Sequence, residues 1–384
     1  MRICVLGNQA RAAFLFWRVL MLKMRAQGHS VVCLLPPGDE ENESRIRALD
    51  VEIQHYRLDR KGINPARDAL TFCDLKRFFG REKVDVLFAY TIKPVIYGCM
   101  AAKMSGVPHI YATITGLGYA FEADSPLKKM VHGLSILLYR TALAGIEGVF
   151  FQNRDDAELF RSQGILSANA RVLFANGTGV DTARFAEQPM PDADGGLIFL
   201  LVGRLLEAKG IREYIEAARL VKADHPETVF QILGPREQGL GSIGEEEIAS
   251  WARDGVVSYL GQTADVVPYV RACHVLVLPS WREGLPTCVM EAMSMGRASL
   301  VTDVPGCREV VVSGKNGLIV PVRDPAALAG AMKKFIDNPD IVTQMGIAGR
   351  KMAEEKYDAD VVASGILSSM HITSLSSDED NHDK

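Results

Sequence analysis

Short apolar segments rich in β-branched residues recur along the first part of the chain and alternate with segments of helical periodicity. Strands that alternate with helices are typical of a parallel sheet covered on both faces. The sequence therefore predicts a doubly wound α/β domain here. Its predicted strands are Arg2–Gly7, Ser30–Pro36, Val84–Tyr90, His109–Thr115 and Gly148–Asn153.

The alternation stops at Phe185–Gly196, which is rich in proline, glycine and acidic residues, and then resumes. We place an interdomain linker there, with one Rossmann-like domain at 1–187 and a second at 188–372. The last helix is a candidate for crossing back to the first domain, and we expect the polar stretch 373–384 to be disordered. The second series of predicted strands comprises Gly196–Arg204, Thr228–Gly234, Val256–Leu260, His274–Leu278 and Ala298–Thr302.

Composition excludes several classes of protein. Hydrophobic residues make up 48% of the 384 residues and the net charge is −4, which favours neither disorder nor a nucleic-acid-binding surface. The seven cysteines show no C-x-x-C spacing, so we expect buried free thiols and no zinc site. We see no signal peptide and no apolar run long enough to span a bilayer, so we expect a cytoplasmic protein.

Two carboxylates, Glu283 and Glu291, are separated by seven residues where a predicted strand runs into a helix. We expect Pro286 in the first helical turn, which leaves the backbone N–H groups of Gly284 and Leu285 to face an anion at the positive helix end. A sugar nucleotide suits this arrangement, with phosphates on the helix end and a hydroxyl group for each acid. Alternatively, Glu283 interacts with the helix dipole and Glu291 is an ordinary solvated residue.

Two cations favour the ligand site over that alternative. Gly203 and Arg204 end one predicted strand, and Lys209 precedes the next helix. Ligands of doubly wound sheets bind at the carboxyl ends of the strands. We therefore expect both cations to meet the phosphates.

The ordered set of Gly-Arg, Lys-Gly, Glu-x7-Glu and the turn Val304–Val310 resembles the retaining glycosyltransferases of family 4, which have the GT-B fold. This resemblance implies two Rossmann-like domains that face a cleft, with the donor in the C-terminal and the acceptor in the N-terminal domain. It implies catalytic roles for Glu283, Arg204 and Lys209, with Glu291 on the ribose. The donor-binding residues that it implies are Gly203, Arg204, Lys209, Glu283, Gly284, Leu285, Pro286, Glu291, Asn176 and Gly177.

Asn176 and Gly177 belong to a segment, Asn176–Asp181, that resembles the one closing the cleft in this family. A plain glycine turn is the alternative. We favour the functional role because the segment falls near the predicted hinge and its glycines permit close approach of the backbone.

Two segments, Tyr90–Gly98 and Thr113–Phe121, resemble the family-4 branch that extends undecaprenyl-diphosphate-linked sugars, including N-acetylgalactosaminyltransferases of bacterial glycan assembly. Lys93 follows a predicted strand and is expected to meet an acceptor phosphate, although it could also be a solvated loop charge. The acceptor-binding residues that we predict are Lys93, Thr115, Gly116, Gly118 and Arg11.

Two predicted helices, Arg11–Arg25 and Leu127–Arg140, combine basic with apolar and aromatic residues. This mixture is typical of a membrane surface, where the cations would meet anionic lipid or a lipid diphosphate. An ordinary crossover helix with one face on the sheet explains the first pattern equally well. Together the two helices predict a membrane-facing patch on the first domain.

The chain departs from the family pattern twice. Its first loop has one glycine, Gly7, where many members have a pair, and Thr115-Gly116 stands where many have a histidine. His132 in the next helix is not assumed to replace that histidine.

The resemblance thus implies a retaining hexosyltransferase that moves an N-acetylhexosamine from a UDP-sugar to a lipid-diphosphate-linked sugar at the inner face of the cell membrane. We expect no cofactor and no metal, because two cations face the phosphates and no Asp-x-Asp motif ends a strand. The alternatives are a UDP-sugar epimerase of the same fold, a transferase with a non-lipid acceptor and a non-catalytic docking module.

Overall fold

The structure is a computed structural model that describes residues 1–60, 62, 64–116, 126–237, 239 and 241–372, without the side chains at 126–128. The chain forms two compact units. The first contains Met1–Thr178 and the described residues from Asp360 onward, and the second contains Gly179–Ala359. Each unit has its own sheet and its own core.

The described part of the first unit contains one parallel sheet of seven strands. These are β1 (Arg2–Leu6), β2 (Ser30–Leu35), β3 (Glu52–His55), β4 (Val86–Tyr90), β5 (His109–Ile114), β6 (Gly148–Phe151) and β7 (Val172–Phe174). Their order is β3-β2-β1-β4-β5-β6-β7, which reverses direction between β1 and β4 as in Rossmann folds. Most residues of β1, β2, β4, β5 and β6 are buried, as expected for a sheet covered on both faces.

Helices cover both faces of this sheet. They are α1 (Ala10–Ala26), α2 (Glu40–Arg47), α3 (Pro65–Arg81), α4 (Cys99–Met104), α5 (Pro126–Leu143) and α6 (Arg154–Ser162). Ala13, Trp17 and Met24 of α1 pack with Ile46 of α2 on one face. Residues of α3 to α6 form the core of the other face.

The described part of the second unit contains a six-stranded parallel sheet. Its strands are β8 (Ile198–Val202), β9 (Val229–Leu233), β10 (Ser258–Tyr259), β11 (Val275–Leu278), β12 (Ala298–Thr302) and β13 (Gly317–Val320). The order β10-β9-β8-β11-β12-β13 reverses between β8 and β11. The predicted fold class, two Rossmann-like α/β domains, is therefore confirmed.

Helices of the second unit also occupy both faces of its sheet. They are α7 (Ile211–Lys222), α8 (Glu245–Arg253), α9 (Val267–Ala272), α10 (Thr287–Ser294), α11 (Cys307–Val310), α12 (Pro325–Asp337) and α13 (Pro339–Met352). Side chains of α7, α8 and α12 share one core with the sheet, and those of α9, α10 and α11 share the other.

The division between the units falls after Thr178, upstream of the linker predicted at 185–196. The predicted linker is tied into the second unit instead. Phe185 lies in a buried cluster of that unit, and the Arg297 guanidinium donates to the carbonyl oxygens of Gln188 at 3.0 Å and Pro189 at 2.8 Å. The segment predicted as a linker therefore has the composition of a loop, but hydrogen bonds from the buried Arg297 attach it to the second unit.

A last helix, α14 (Ala359–Ser369), contributes to the first unit. Its residues Val362, Ile366 and Leu367 are buried in the same cluster as Trp17 of α1. Residues 373–384, predicted to be disordered, lie outside the described residues.

Candidate active site

Most of the predicted donor residues lie on two loops that flank the point where the second sheet reverses its strand order. Strands β8 and β11 are hydrogen-bonded neighbours, with Val275 paired to Phe199 and Leu276 to Leu200. The loop after β8 carries Gly203, Arg204 and Lys209, and the loop after β11 carries Glu283. Helices leave such neighbouring strands toward opposite faces, which opens a crevice where ligands of this fold class bind.

Glycine lets the first loop approach the second. Gly210 has a left-handed backbone, with φ 69° and ψ 30°, and packs against Pro279. The N–H of Trp281 donates to the carbonyl oxygen of Ala208 at 2.9 Å. These two contacts bring the residue between them, Lys209, alongside the β11 loop.

Lys209 and Glu283 form an ion pair at this junction. Lys209 Nζ donates to Glu283 Oε1 at 2.5 Å, and the side chains are only 21% and 12% exposed. Burial lowers the pKa of Lys209, but the charge and hydrogen bond of Glu283 raise it more, so the net pKa lies above its usual value. Lys209 is therefore a fixed cation at neutral pH.

Helix α10 begins beside this ion pair. Pro286 is its N-cap residue, not part of its first turn as predicted, and no described side chain caps the helix. The first turn carries no acidic residue, so its N–H groups and positive dipole end are suited to an anion. Gly284 and Leu285 complete the loop between Glu283 and the helix.

A second glycine, Gly306, packs against the backbone of the loop that carries Glu283 and Gly284. Gly306 has φ 78°, and a Cβ there would stand 2.3 Å from the carbonyl oxygen of Gly284. The sequence patterns around Gly210 and Gly306 did not predict that these two glycines support the site. A glycine directly before a helix was the available signal in both cases.

Glu291 lies inside α10, more than one turn from its start. Its carboxyl group has no hydrogen bond or ion pair with any residue in the described part of the chain, and burial raises its pKa to about 7 despite the opposing charge of Arg184. A half-buried acid without a partner is suited to a hydroxyl group of a ligand.

Among the charged residues predicted to bind the donor, Arg204 is the most exposed. Its side chain is 57% exposed and lies 3.7 Å from Glu237. Its positive charge repels that of Lys209 and is a minor cause that lowers the pKa of the lysine, so the two cations lie close enough to interact. A Cβ on Gly203 would lie 3.7 Å from the Lys209 side chain, so Gly203 flanks the lysine stem.

Asn176 and Gly177 lie in the first unit, after β7. Gly177 has φ 69° and its N–H donates to the carbonyl oxygen of Ala175 at 2.8 Å, as in a tight turn. The donor residues described above all belong to the second unit.

Those predicted acceptor residues that the structure describes lie at or near carboxyl ends of strands in the first unit. Thr115 and Gly116 follow β5, and Gly116 has φ 123°. Arg11 is exposed in the first turn of α1, where its own N–H donates to the Asp39 carboxylate at 3.1 Å. Gly118 lies outside the described residues.

Lys93 has a different role from the predicted one. Its ammonium donates to the carbonyl oxygens of Asp59 at 2.7 Å and Gly62 at 2.8 Å and to Asp68 Oδ1 at 2.6 Å. These bonds use all three N–H donors of a lysine. Lys93 thus ties the loop before α3 to the helix itself and has no donor left for a phosphate.

The predicted membrane patch is divided between two sides of the first sheet. Helix α1 packs on one face and α5 on the other. Lys23 and Arg25 of α1 are ion-paired with Asp360 and Asp50. On α5, large apolar side chains stand exposed at helical spacing, with Met130 at 66%, Leu134 at 48% and Leu137 at 58%. Among the described residues, none of the helices combines the length and the hydrophobicity that a membrane span requires.

Two protein families match this chain, one over each unit. Residues 2–153 match the family described as Glycosyl transferase 4-like, and residues 196–338 match Glycosyl transferases group 1.

Among curated relatives, the chain is similar to N,N'-diacetylbacillosaminyl-diphospho-undecaprenol alpha-1,3-N-acetylgalactosaminyltransferase of Campylobacter jejuni. The two are 26% identical over 96% of this chain and 97% of the relative. A second relative, UDP-Gal:alpha-D-GlcNAc-diphosphoundecaprenol alpha-1,3-galactosyltransferase of Escherichia coli, is 23% identical over 72% of this chain and 73% of its own length.

Solved structures share the fold. HepE of Anabaena in complex with UDP-glucose has a TM-score of 0.77 and 16% identity, covering 97% of this chain and 99% of that one. Sucrose-phosphate synthase from Thermosynechococcus elongatus has a TM-score of 0.76 and 17% identity, covering 95% and 97%. With a family match on each sheet and a fold common to these enzymes, the chain belongs to the family 4 glycosyltransferases and is a hexosyltransferase with the GT-B fold.

Proposed function

We propose that this hexosyltransferase moves an N-acetylhexosamine from a UDP-sugar to a sugar carried on a polyprenyl diphosphate, with retention of anomeric configuration. The observation that carries the donor half is the buried Lys209–Glu283 pair beside the uncapped start of α10, with the unpartnered Glu291 inside that helix. The acceptor half is supported by the relatives of Campylobacter jejuni and Escherichia coli, whose names specify sugars linked to undecaprenyl diphosphate.

The donor would be held by groups of one unit. Its diphosphate would meet Lys209, Arg204 and the first N–H groups of α10, which together supply positive charge. Its ribose hydroxyls would meet Glu291, whose raised pKa leaves the carboxyl able to donate as well as accept a hydrogen bond near pH 7. Glu283, held by Lys209, would contact the sugar.

The proposed reaction requires no protein base. The bond between the anomeric carbon and the donor's diphosphate oxygen breaks, and a bond from that carbon to the acceptor oxygen forms on the same face. An oxygen of the leaving β-phosphate takes the acceptor proton. Lys209, Arg204 and the α10 dipole would stabilise the charge that develops on the departing UDP, and such preorganised charge is often the largest catalytic contribution. We propose that these groups act without a resident metal.

The lipid-linked acceptor would be reached at a membrane surface through α5. The exposed Met130, Leu134 and Leu137 follow i, i+4, i+7 spacing and therefore share one side of the helix. Lys129 and Arg140 are exposed on the same helix and suit anionic headgroups. We favour α5 over α1 because two cations of α1 are already paired with aspartates.

The decisive experiment is UDP release by the purified protein with a panel of UDP-sugars and GDP-mannose, with and without a short polyprenyl-diphosphate-sugar acceptor. We expect release that depends on the acceptor and is lost in Glu283→Ala and Arg204→Ala. Glu246→Ala, which removes an exposed carboxylate on α8, is the matched control and should retain activity.

Other outcomes would redirect the proposal. Isotope exchange into the donor sugar without an acceptor would favour the epimerase. Release that depends on a free saccharide, and not on the lipid-linked one, would favour a non-lipid acceptor.

A further inference from the structure

Trp281 stands two residues before Glu283 and is held on three sides. Its backbone N–H donates to Ala208, its indole Nε1–H donates to Glu213 Oε1 at 2.9 Å, and the Arg323 guanidinium carbon lies 3.9 Å from the centre of its ring. Ala208 and Glu213 lie on either side of the Lys209-Gly210 pair in the chain. Trp281 therefore links the loop that carries Lys209 to the loop that carries Glu283.

Arg323 stacks on Trp281 from an unfavourable backbone conformation. It has φ 59°, in the left-handed region that side chains other than glycine rarely adopt. The residue is exposed, between β13 and α12, so burial does not impose this conformation. Strain at a single exposed residue persists where the surrounding contacts require it and is often found near functional sites. In Arg323 the side chain is engaged in the stack on Trp281.

We propose that Arg323 and Glu213 are positioning residues for the donor site. Arg323 holds the face of the Trp281 indole and Glu213 holds its N–H edge. Together they keep the β11 loop against the β8 loop, and so hold Glu283 and the start of α10 where the donor diphosphate binds. Neither residue needs to touch the donor. The inference rests on the proposed function, because it assumes that UDP binds at Lys209 and α10.

Replacement of Arg323 by glycine separates this role from a merely structural one. Arg323→Gly removes the stack and also relieves the left-handed strain, so the folded state is expected to be as stable as the wild type or more stable. Donor affinity is expected to fall. We expect the Kd for UDP and the KM for the UDP-sugar to rise about threefold to fivefold, the range for a partly exposed cation–π contact, with little change in kcat.

Two further variants complete the test. Arg323→Lys keeps a cation over the ring and should restore part of the affinity. Arg219→Ala removes an α7 arginine that pairs with Glu216 and does not stack on Trp281, and should bind UDP as the wild type does. In addition, UDP should change the tryptophan fluorescence of the wild type more than that of Arg323→Gly. The same titration of Trp281→Phe shows how much of the fluorescence change comes from Trp281.

The outcomes are distinguishable. Wild-type affinity for UDP in Arg323→Gly, within twofold, would overturn the positioning role, and so would a fall in affinity accompanied by a matching loss of stability. If the wild-type protein itself does not bind UDP in calorimetry, the proposed function fails, and the inference fails with it.

Discussion

A Cβ added to Gly210 would stand 2.0 Å from the carbonyl oxygen of Pro279, so only glycine fits where the two loops of the candidate active site meet. Gly210→Ala would force backbone apart at a residue that also has φ 69°. We expect a loss of about 2–4 kcal/mol in the free energy of unfolding, measured by urea denaturation.

Gly330→Ala is the matched control for that substitution. Gly330 lies in α12 of the same unit, and a Cβ there meets nothing within 4 Å. Alanine should stabilise the helix by about 0.5–1 kcal/mol. Equal stability of Gly210→Ala and wild type would contradict the packing described here.

The cation at Lys209 is expected to be essential for transfer. Lys209→Met removes the positive charge and leaves the largely buried Glu283 without its partner. Phosphate binding should therefore weaken, and Glu283 should no longer be held in position. We expect kcat/KM to fall about 100-fold or more. Steady-state UDP release checks this. Lys333→Met breaks a surface pair with Asp224, and should leave both stability and kcat/KM nearly unchanged. Similar kinetics for the two variants would rule out the role of Lys209.

Glu291 is expected to make stability depend on pH. Its pKa is raised from 4.5 to about 7, so between these values the folded state keeps a proton that the unfolded state releases. The stabilising contribution of protonated Glu291 to the free energy of unfolding is fully present below pH 4.5 and is lost as the pH rises through 7. This change in pKa corresponds to roughly 3 kcal/mol. Glu291→Gln cannot ionise, so the difference in unfolding free energy between variant and wild type should grow from pH 5 to pH 8. Parallel pH profiles would disprove the raised pKa.

Helix α5 is expected to mediate membrane binding. Leu137→Glu places a charge on its exposed apolar stripe, and cosedimentation with anionic vesicles should decrease while stability changes by less than about 0.5 kcal/mol. Ile347→Glu is the control, since Ile347 is 60% exposed on α13 in the second unit. Equal retention of both variants on vesicles would exclude α5 as the membrane-binding surface.

Transfer is expected to continue in the presence of EDTA, because Lys209, Arg204 and the start of α10 carry the positive charge that the leaving diphosphate requires. UDP release measured before and after chelation tests this. A loss of activity that Mg²⁺ or Mn²⁺ restores would show that these groups are insufficient.

Much of the fold could be predicted because the period of apolar residues depends on local chain geometry. The buried strands β1, β4, β11 and β12 were recognisable from continuous apolar runs. The edge strand β3 was missed because it is largely polar and solvent-facing. No bounds were predicted for the edge strands β7 and β13, which have three and four residues. The domain boundary was misplaced because Arg297, over a hundred residues away, orders a segment that looks like a loop.

The two βαβ series and the order of Gly-Arg, Lys-Gly and Glu-x7-Glu could be read from the chain without coordinates, because these features follow from local periodicity and spacing. Which charges meet depends on the tertiary structure. It paired Lys209 with Glu283, engaged all three donors of Lys93 within its own unit, and stacked Arg323 on Trp281. Such pairings join residues that are far apart in the chain, so they depend on how the strands are ordered in the sheet, and no local pattern in the sequence encodes that order.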